Sequence, residues 1–314
     1  MAPTEKRQAR RAALWRETAG TVAVIADEAG FARMRRYPTF RFTDHAGYLR
    51  QTEAHLRSLA ARHGHTSVAL FDPEGFAGFC SREGIDPDSP ASRSRYTAEL
   101  ATRGATVPYR GQPIGSLLPE LLAERLRWET WEAGTALLAA AGSCPGCGAP
   151  MPRCAFRRAA ALFSSVLELL GPGEHRLVCS LLARVGPLTA AVRIELGPGG
   201  ALGLAEPEAL VVCTVLAAAM ATGDPGGLVL RSSPPGGPAD AAERGRRDGD
   251  GGGEQAGDEV RGWSLQRGRV RPLAEAEVFS AYCTDVRTGD PIPPEPGVRY
   301  RPAPTLPTPP CPEP

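Results

Sequence analysis

The chain reads as an α/β to α+β protein, and three observations predict it. Short runs rich in valine and isoleucine alternate with helical patterns in the first half, in the order βαβα. Two helix-length apolar stripes then flank a cysteine-rich turn. After residue 170 the pattern changes to short alternating runs, the period of strands with one buried face.

The elements follow in order. "TVAVIAD" (21–27) is a short apolar run read as a buried strand, and "EAGFARMRRY" continues it as one or two helical turns. "DHAGYLRQTEAHLRSLAARHG" (44–64) is an amphipathic helix, with Tyr48, Leu49, Leu56 and Leu59 on its apolar side and Gly64 as its stop. "TSVALFD" (66–72) is a second strand. Short helices follow around 73–83 and 90–103, then a weak strand near "ATVPY" (105–109). Near-continuous apolar strands between helices imply a parallel pair covered on both faces. Residues 114–142 form the longest helical stretch, with Ile114, Leu117, Leu118, Leu121, Leu122 and Leu126 at helical spacing. Pro119 predicts a kink there, or a later start. A second helix over 155–170 carries Phe156, Ala159, Phe163, Val166, Leu167 and Leu170, and the two are expected to pair as a hairpin. "HRLVCSLLA" and "LTAAVRIEL" read as a β-hairpin. A buried helix (206–222), a strand (227–232), a partner strand (260–268) and a last short helix, "LAEAEVFSAYC", complete the series.

Two segments lack the apolar residues needed to offset ordering entropy. Residues 233–259 are glycine, proline and charge, which predicts disorder. From 291 to 314 the chain is proline-dense and reads as an extended polyproline II tail, a spacer or a ligand for an aromatic groove. The expected organisation is a flexible basic arm (1–20), an α/β part (21–142), and a cysteine knuckle, helix and antiparallel part (143–232 with 260–290). The disordered insertion (233–259) and the tail (291–314) complete it.

Composition narrows the function classes. The formal net charge is +1, so no whole-molecule field for gripping nucleic acid is implied. Lys6 is the one lysine and asparagine is absent, so arginine enrichment reports a GC-rich coding bias before it reports phosphate recognition. The longest apolar run, 209–221, is 13 residues, short of the roughly 20 that a bilayer helix needs. No secretory signal pattern follows the basic N-terminus. Eight scattered cysteines fit a reducing compartment better than a secreted disulfide framework, so the expected location is the cytoplasm.

Two constellations carry candidate chemistry. The first is an echo: "TVAVIADEAGFA" (21–32) recurs as "TSVALFDPEGFA" (66–77), with Thr, Asp and Gly-Phe-Ala coincident. Asp27 and Asp72 therefore both end a strand and open a helix. Carboxylates at the carboxyl ends of neighbouring parallel strands suit Mg²⁺ and substrate phosphate, which gives a metal-dependent phosphoryl-group hydrolase or nuclease. The same residues suit N-caps, with Pro73 at the first helical position and Glu28 and Glu74 facing the positive helix end.

The second is "CPGCG" (144–148). Two thiolates two residues apart, with Pro between and Gly after, form the tight knuckle that sets both sulfurs on one Zn²⁺. Cys144, Cys147 and Cys154 are the candidate ligands. No second CxxC exists, so the fourth would be Cys80, a histidine or a partner chain. An unmetallated turn and a redox dithiol are the competing readings, the latter weakened because Cys144 follows a helix. His63-x-His65 sits at a helix end, where histidine favours the dipole. No HExxH, Walker glycine loop or GxSxG occurs.

The run from "TVAVIADEAGFARMRRYPTFRFTDHAGYLRQTEAHLRSLA" to "TSVALFDPEGFAGFC" resembles hypothetical proteins of GC-rich actinobacteria, over roughly residues 20–230. The resemblance implies no activity and transfers no role to any residue. The expectation is a non-enzymatic cytoplasmic binding or regulatory protein, with zinc as candidate stabiliser and a protein partner. The Asp27/Asp72 hydrolase is the alternative. Nucleic-acid binding through the basic clusters "RQARR" and "ERGRR" is the second alternative, which net charge does not favour.

Overall fold

The computed structural model describes residues 20–62, 65–235, 257–285, 288–307 and 311. Residues 1–19 of the predicted basic arm and 236–256 of the predicted disordered insertion lie outside the described residues, with "RQARR" and "ERGRR" among them, whereas Ser233, Asp258 and Glu259 at the insertion's ends lie in strands. The fold is mixed α/β, with both parallel and antiparallel strand pairs. No described helix is long and apolar enough to cross a membrane.

The chain divides into two compact units, 1–128 and 129–314. The division falls inside the long central helix, not at the cysteine turn where composition placed it. A helix is continuous in hydrogen bonding, so composition along it gives no sign of which core each end serves.

The first unit holds a three-stranded sheet in the order β1-β2-β3: β1 (Thr21–Val24), β2 (Ser67–Leu70) and β3 (Thr106–Pro108). β1 and β2 are parallel as expected, and β3 is antiparallel to β2. Between them run α1 (Glu28–Met34), α2 (His45–Arg62), α3 (Pro73–Glu83) and α4 (Pro90–Arg103). The strands are shorter than predicted because Ile25–Ala26 and Phe71 bridge from ladder to helix cap. Their pairing register sets Thr21 opposite Ser67, whereas the sequence echo sets Thr21 over Thr66. The two strand-to-helix joints are thus alike but staggered by one residue. The core is largely aromatic: Phe31 packs on Phe40 and Tyr48, and Phe76 lies between Tyr37, Phe71 and Tyr96.

α5 (Ile114–Ala139) carries the chain from the first unit into the second, and Pro119 lies within it without ending it. α6 (Met151–Leu167) starts four residues earlier than predicted. Pro150 sits at its N-cap and Pro152 in its first turn, positions where a missing N–H is tolerated. In the second unit a seven-stranded sheet has the order β10-β8-β7-β4-β5-β6, with β9 also on β8. Its strands are β4 (Gly173–Ala183), β5 (Gly186–Leu196), β6 (Leu202–Leu204), β7 (Gly226–Ser233), β8 (Asp258–Gln266), β9 (Arg269–Pro272) and β10 (Val298–Tyr300).

The predicted hairpin is β4–β5, and 227–232 does pair with 260–268, as β7–β8. All pairings are antiparallel except β10 on β8. Alternate residues of β4 (His175, Leu177, Cys179, Leu181) and β5 (Leu188, Ala190, Val192, Ile194) are buried against helices, as period-2 patterning requires. α7 (Glu206–Thr222) is buried from Val211 to Met220 and packs on β4, β5 and α6. α7 rather than α5 is thus the main helical partner of α6. α8 (Glu275–Tyr282) completes the unit.

Two outcomes run against the reading of 291–314 as a free spacer. Residues 298–300 form β10, and Leu306 is buried in the core of the second unit.

Candidate metal centre

The cysteine knuckle is built from backbone geometry first. After α5 the chain turns through Gly142, and Ser143 bridges Pro150 as an isolated antiparallel pair. The amide of Cys144 donates to the carbonyl of Ala149 (2.8 Å), and that of Gly148 donates back to the carbonyl of Cys144 (2.8 Å). These bonds close a loop of six residues around the sulfurs. Gly146 at its tip is closely approached: a Cβ there would lie 3.0 Å from the Cys311 Sγ, so that sulfur would have to give way. The amide of Cys154 donates to Pro150 in the first turn of α6, which aims its thiol back at the loop.

Four sulfurs meet there, from Cys144, Cys147, Cys154 and Cys311, all within 4.8 Å of one another. The Cys154 thiol donates to the Cys144 sulfur at 3.5 Å, and the Cys144 and Cys311 sulfurs are 3.7 Å apart. These separations exclude disulfides, whose sulfurs sit about 2.05 Å apart, and all four cysteines are free. A tetrahedron of sulfurs about 2.3 Å from a central Zn²⁺ has edges of about 3.8 Å. The observed spacings match it, and four soft thiolates in that arrangement suit zinc or iron–sulfur chemistry.

The electrostatics agree. Amide N–H groups of Gly146 and Cys147 point at the Cys144 sulfur, and the Cys154 thiol donates to it. Together they pull the Cys144 pKa down to about 6. Burial, then the hydrogen bond to Cys144, pushes Cys154 up to about 12. The hydrogen bond to Cys144 also leads the causes that raise Cys311. One sulfur of the cluster is therefore biased toward the thiolate while Cys154 and Cys311 are biased toward the thiol. A divalent cation here would displace those protons.

Cys144, Cys147 and Cys154 are thus brought together as predicted, and the fourth sulfur is Cys311. Cys80, the cysteine proposed for that role, is buried in α3 within the core of the first unit. Cys311 lies 167 positions beyond Cys144 in a segment read as a spacer. Its only sequence signal was a lone cysteine in a proline-rich tail. Of the histidine pair, His63 lies outside the described residues and His65 is exposed.

Asp27 and Asp72 occupy the joints as N-caps. The Asp27 carboxylate accepts from the amide of Gly30 (2.6 Å), and that of Asp72 accepts from the amide of Glu74 (3.0 Å). Arg125 approaches Asp72 at 3.5 Å. The recurring glycine has a steric cause. A Cβ on Gly75 would lie 2.5 Å from the Tyr96 hydroxyl and 2.9 Å from the Asp72 carboxylate. The recurring phenylalanines, Phe31 and Phe76, are core residues. The aspartate, glycine and phenylalanine of the echo thus have local structural roles, whereas the buried Thr66 hydroxyl has no hydrogen-bond partner among the described residues.

Comparison with known proteins adds one finding. A family model described as a domain of unknown function (DUF8829) matches residues 8–112, a stretch that includes β1–β3 but none of the four clustered cysteines. No curated protein matches the chain, and no solved structure does.

Proposed function

We propose that this is a zinc-binding protein in which Cys144, Cys147, Cys154 and Cys311 hold a structural Zn²⁺, and that it acts in the cytoplasm as a binding or regulatory protein without catalysis at the metal. The observation that carries the reading is the convergence of four sulfurs within 4.8 Å of one another, with the Cys154–Cys144 and Cys144–Cys311 separations of 3.5 and 3.7 Å close to a tetrahedral edge. Structural zinc sites are closed by four protein ligands, whereas catalytic zinc keeps a position open for water or substrate. Four cysteine sulfurs would fill all four positions around such an ion. The free state of the cysteines suits a reducing compartment.

Elemental analysis of the purified full-length protein tests this directly. The expected result is one zinc per chain, lost in Cys144→Ser. Sub-stoichiometric metal, together with a melting temperature unchanged by chelator, would sink the proposal. Iron with visible-region absorbance would replace zinc as the metal.

A further inference from the structure

The fourth ligand comes from the tail, and the tail is not a passive spacer. Its root is fastened by charge and pairing. Arg231 makes a bidentate contact with Glu295 (2.8 and 2.8 Å) while also donating to Asp258 at 2.6 Å. β10 then runs parallel to β8 through Val298, Arg299 and Tyr300. Beyond Tyr300 the fastenings become sparse. The Arg301 amide donates to Val260, the Ala303 amide donates to Leu273, and the Trp263 indole donates to the Pro304 carbonyl at 2.8 Å. Leu306, 5% exposed, enters the core that also contains Trp263. Prolines at 302, 304, 307, 309 and 310 remove every amide they occupy, so this stretch cannot form a continuous ladder. Cys311 is the last described residue, and its sulfur joins the cluster.

From this we infer that the metal centre, through Cys311, is the latch of a strap, residues 301–307, which it holds across β8 and the Trp263 edge of the core. Metal occupancy governs whether that edge is covered. The inference rests on the metal reading above. Proline stiffens the strap and reduces the entropy of laying it down, so one strong attachment at its end fixes the whole segment. With the metal bound, Cys311 is tied to the knuckle and Leu306 stays seated. With the metal removed, the described part of the strap keeps three main-chain or indole bonds, the Arg301–Glu259 contact (3.4 Å) and the apolar seating of Ala303 and Leu306 beyond its root. Linkage makes the coupling reciprocal: whatever factor the metal contributes to seating Leu306, seating Leu306 contributes to metal affinity.

Hydrogen–deuterium exchange on the full-length protein tests it, comparing zinc-loaded, chelator-treated, Cys311→Ser and Leu306→Ala forms. The expected result is at least tenfold faster exchange at Ala303 and residues 305–306 in the chelated and Cys311→Ser forms. Val298–Tyr300 and the β4–β5 hairpin should keep their protection. Leu306→Ala should bind zinc at least several-fold more weakly in competition with a chromogenic chelator, although it retains all four cysteines. Unchanged strap protection in zinc-free protein, or unchanged zinc affinity in Leu306→Ala, would overturn the latch and leave the metal site standing. Wild-type protein without bound zinc would instead overturn the metal reading itself.

Discussion

At the scale of single residues, the chemistry of the second unit depends on groups whose partners lie far along the chain. Cys144 is biased toward the thiolate by amides two and three residues ahead of it, yet its sulfur neighbour Cys311 comes from the tail. His175 is another case. It is buried on β4; Gly171 O can only accept, so Nε2 carries the proton at 2.8 Å, and Nδ1 accepts from the Ser232 hydroxyl at 2.9 Å. Burial lowers its pKa, opposed by the Gly171 bond, so the ring is held neutral in the folded state. An unfolded histidine protonates at about pH 6.5. The stability contributed by His175 is therefore full above that value and is lost as pH falls below it towards the lower folded value. The expected loss is about 1.4 kcal/mol for each unit by which the folded pKa lies below the unfolded one. Denaturant melts between pH 7.5 and 5 should show this decline, and His175→Gln should flatten it. An identical pH profile in the variant would refute the assignment.

At the scale of elements, local sequence accounts for most of what forms. Asp27 and Asp72 start helices because each carboxylate satisfies an amide that the first turn leaves open. Replacing Asp27 with Ala should destabilise the first unit by about 1 kcal/mol, the usual worth of an N-cap. Asp27→Ser should recover most of it, since serine also caps. Chemical denaturation of the three proteins measures this, and equal loss in Ala and Ser variants would point away from capping. The alternation of β4 and β5 and the all-round burial of α7 were likewise visible as period and composition. The short strands β6, β9 and β10 were not. Three or four residues carry too little periodicity, and each forms only because a neighbouring strand offers an open edge.

For the molecule as a whole, the two compact units share one helix but differ in what secures them. The first is closed by an aromatic core; the second has a sheet, the buried helix α7, the apolar face of α6 and the sulfur cluster. Chelation should therefore lower stability in the second unit alone. Metal bound at a thousandfold excess over its dissociation constant contributes about 4 kcal/mol, and each kcal/mol shifts the melting temperature of a domain this size by about 2–4 °C. Thermal scans with and without chelator, read beside exchange rates in both units, test this. Equal loosening of residues 20–112 would contradict it.

What the sequence determined by itself was local. Hydrophobic period placed the main strands and helices, the Asp-to-helix joints announced their caps, and CPGCG with Cys154 announced three sulfurs with a common target. Each is encoded within a few residues, where propensity and sterics act directly. Only the tertiary structure decided where the chain divides, that α6 lies on α7, and that the proline-rich tail returns along β8 to bring Cys311 to the other three. Those choices depend on which distant surfaces exclude water together, and neither spacing nor composition along the chain records that.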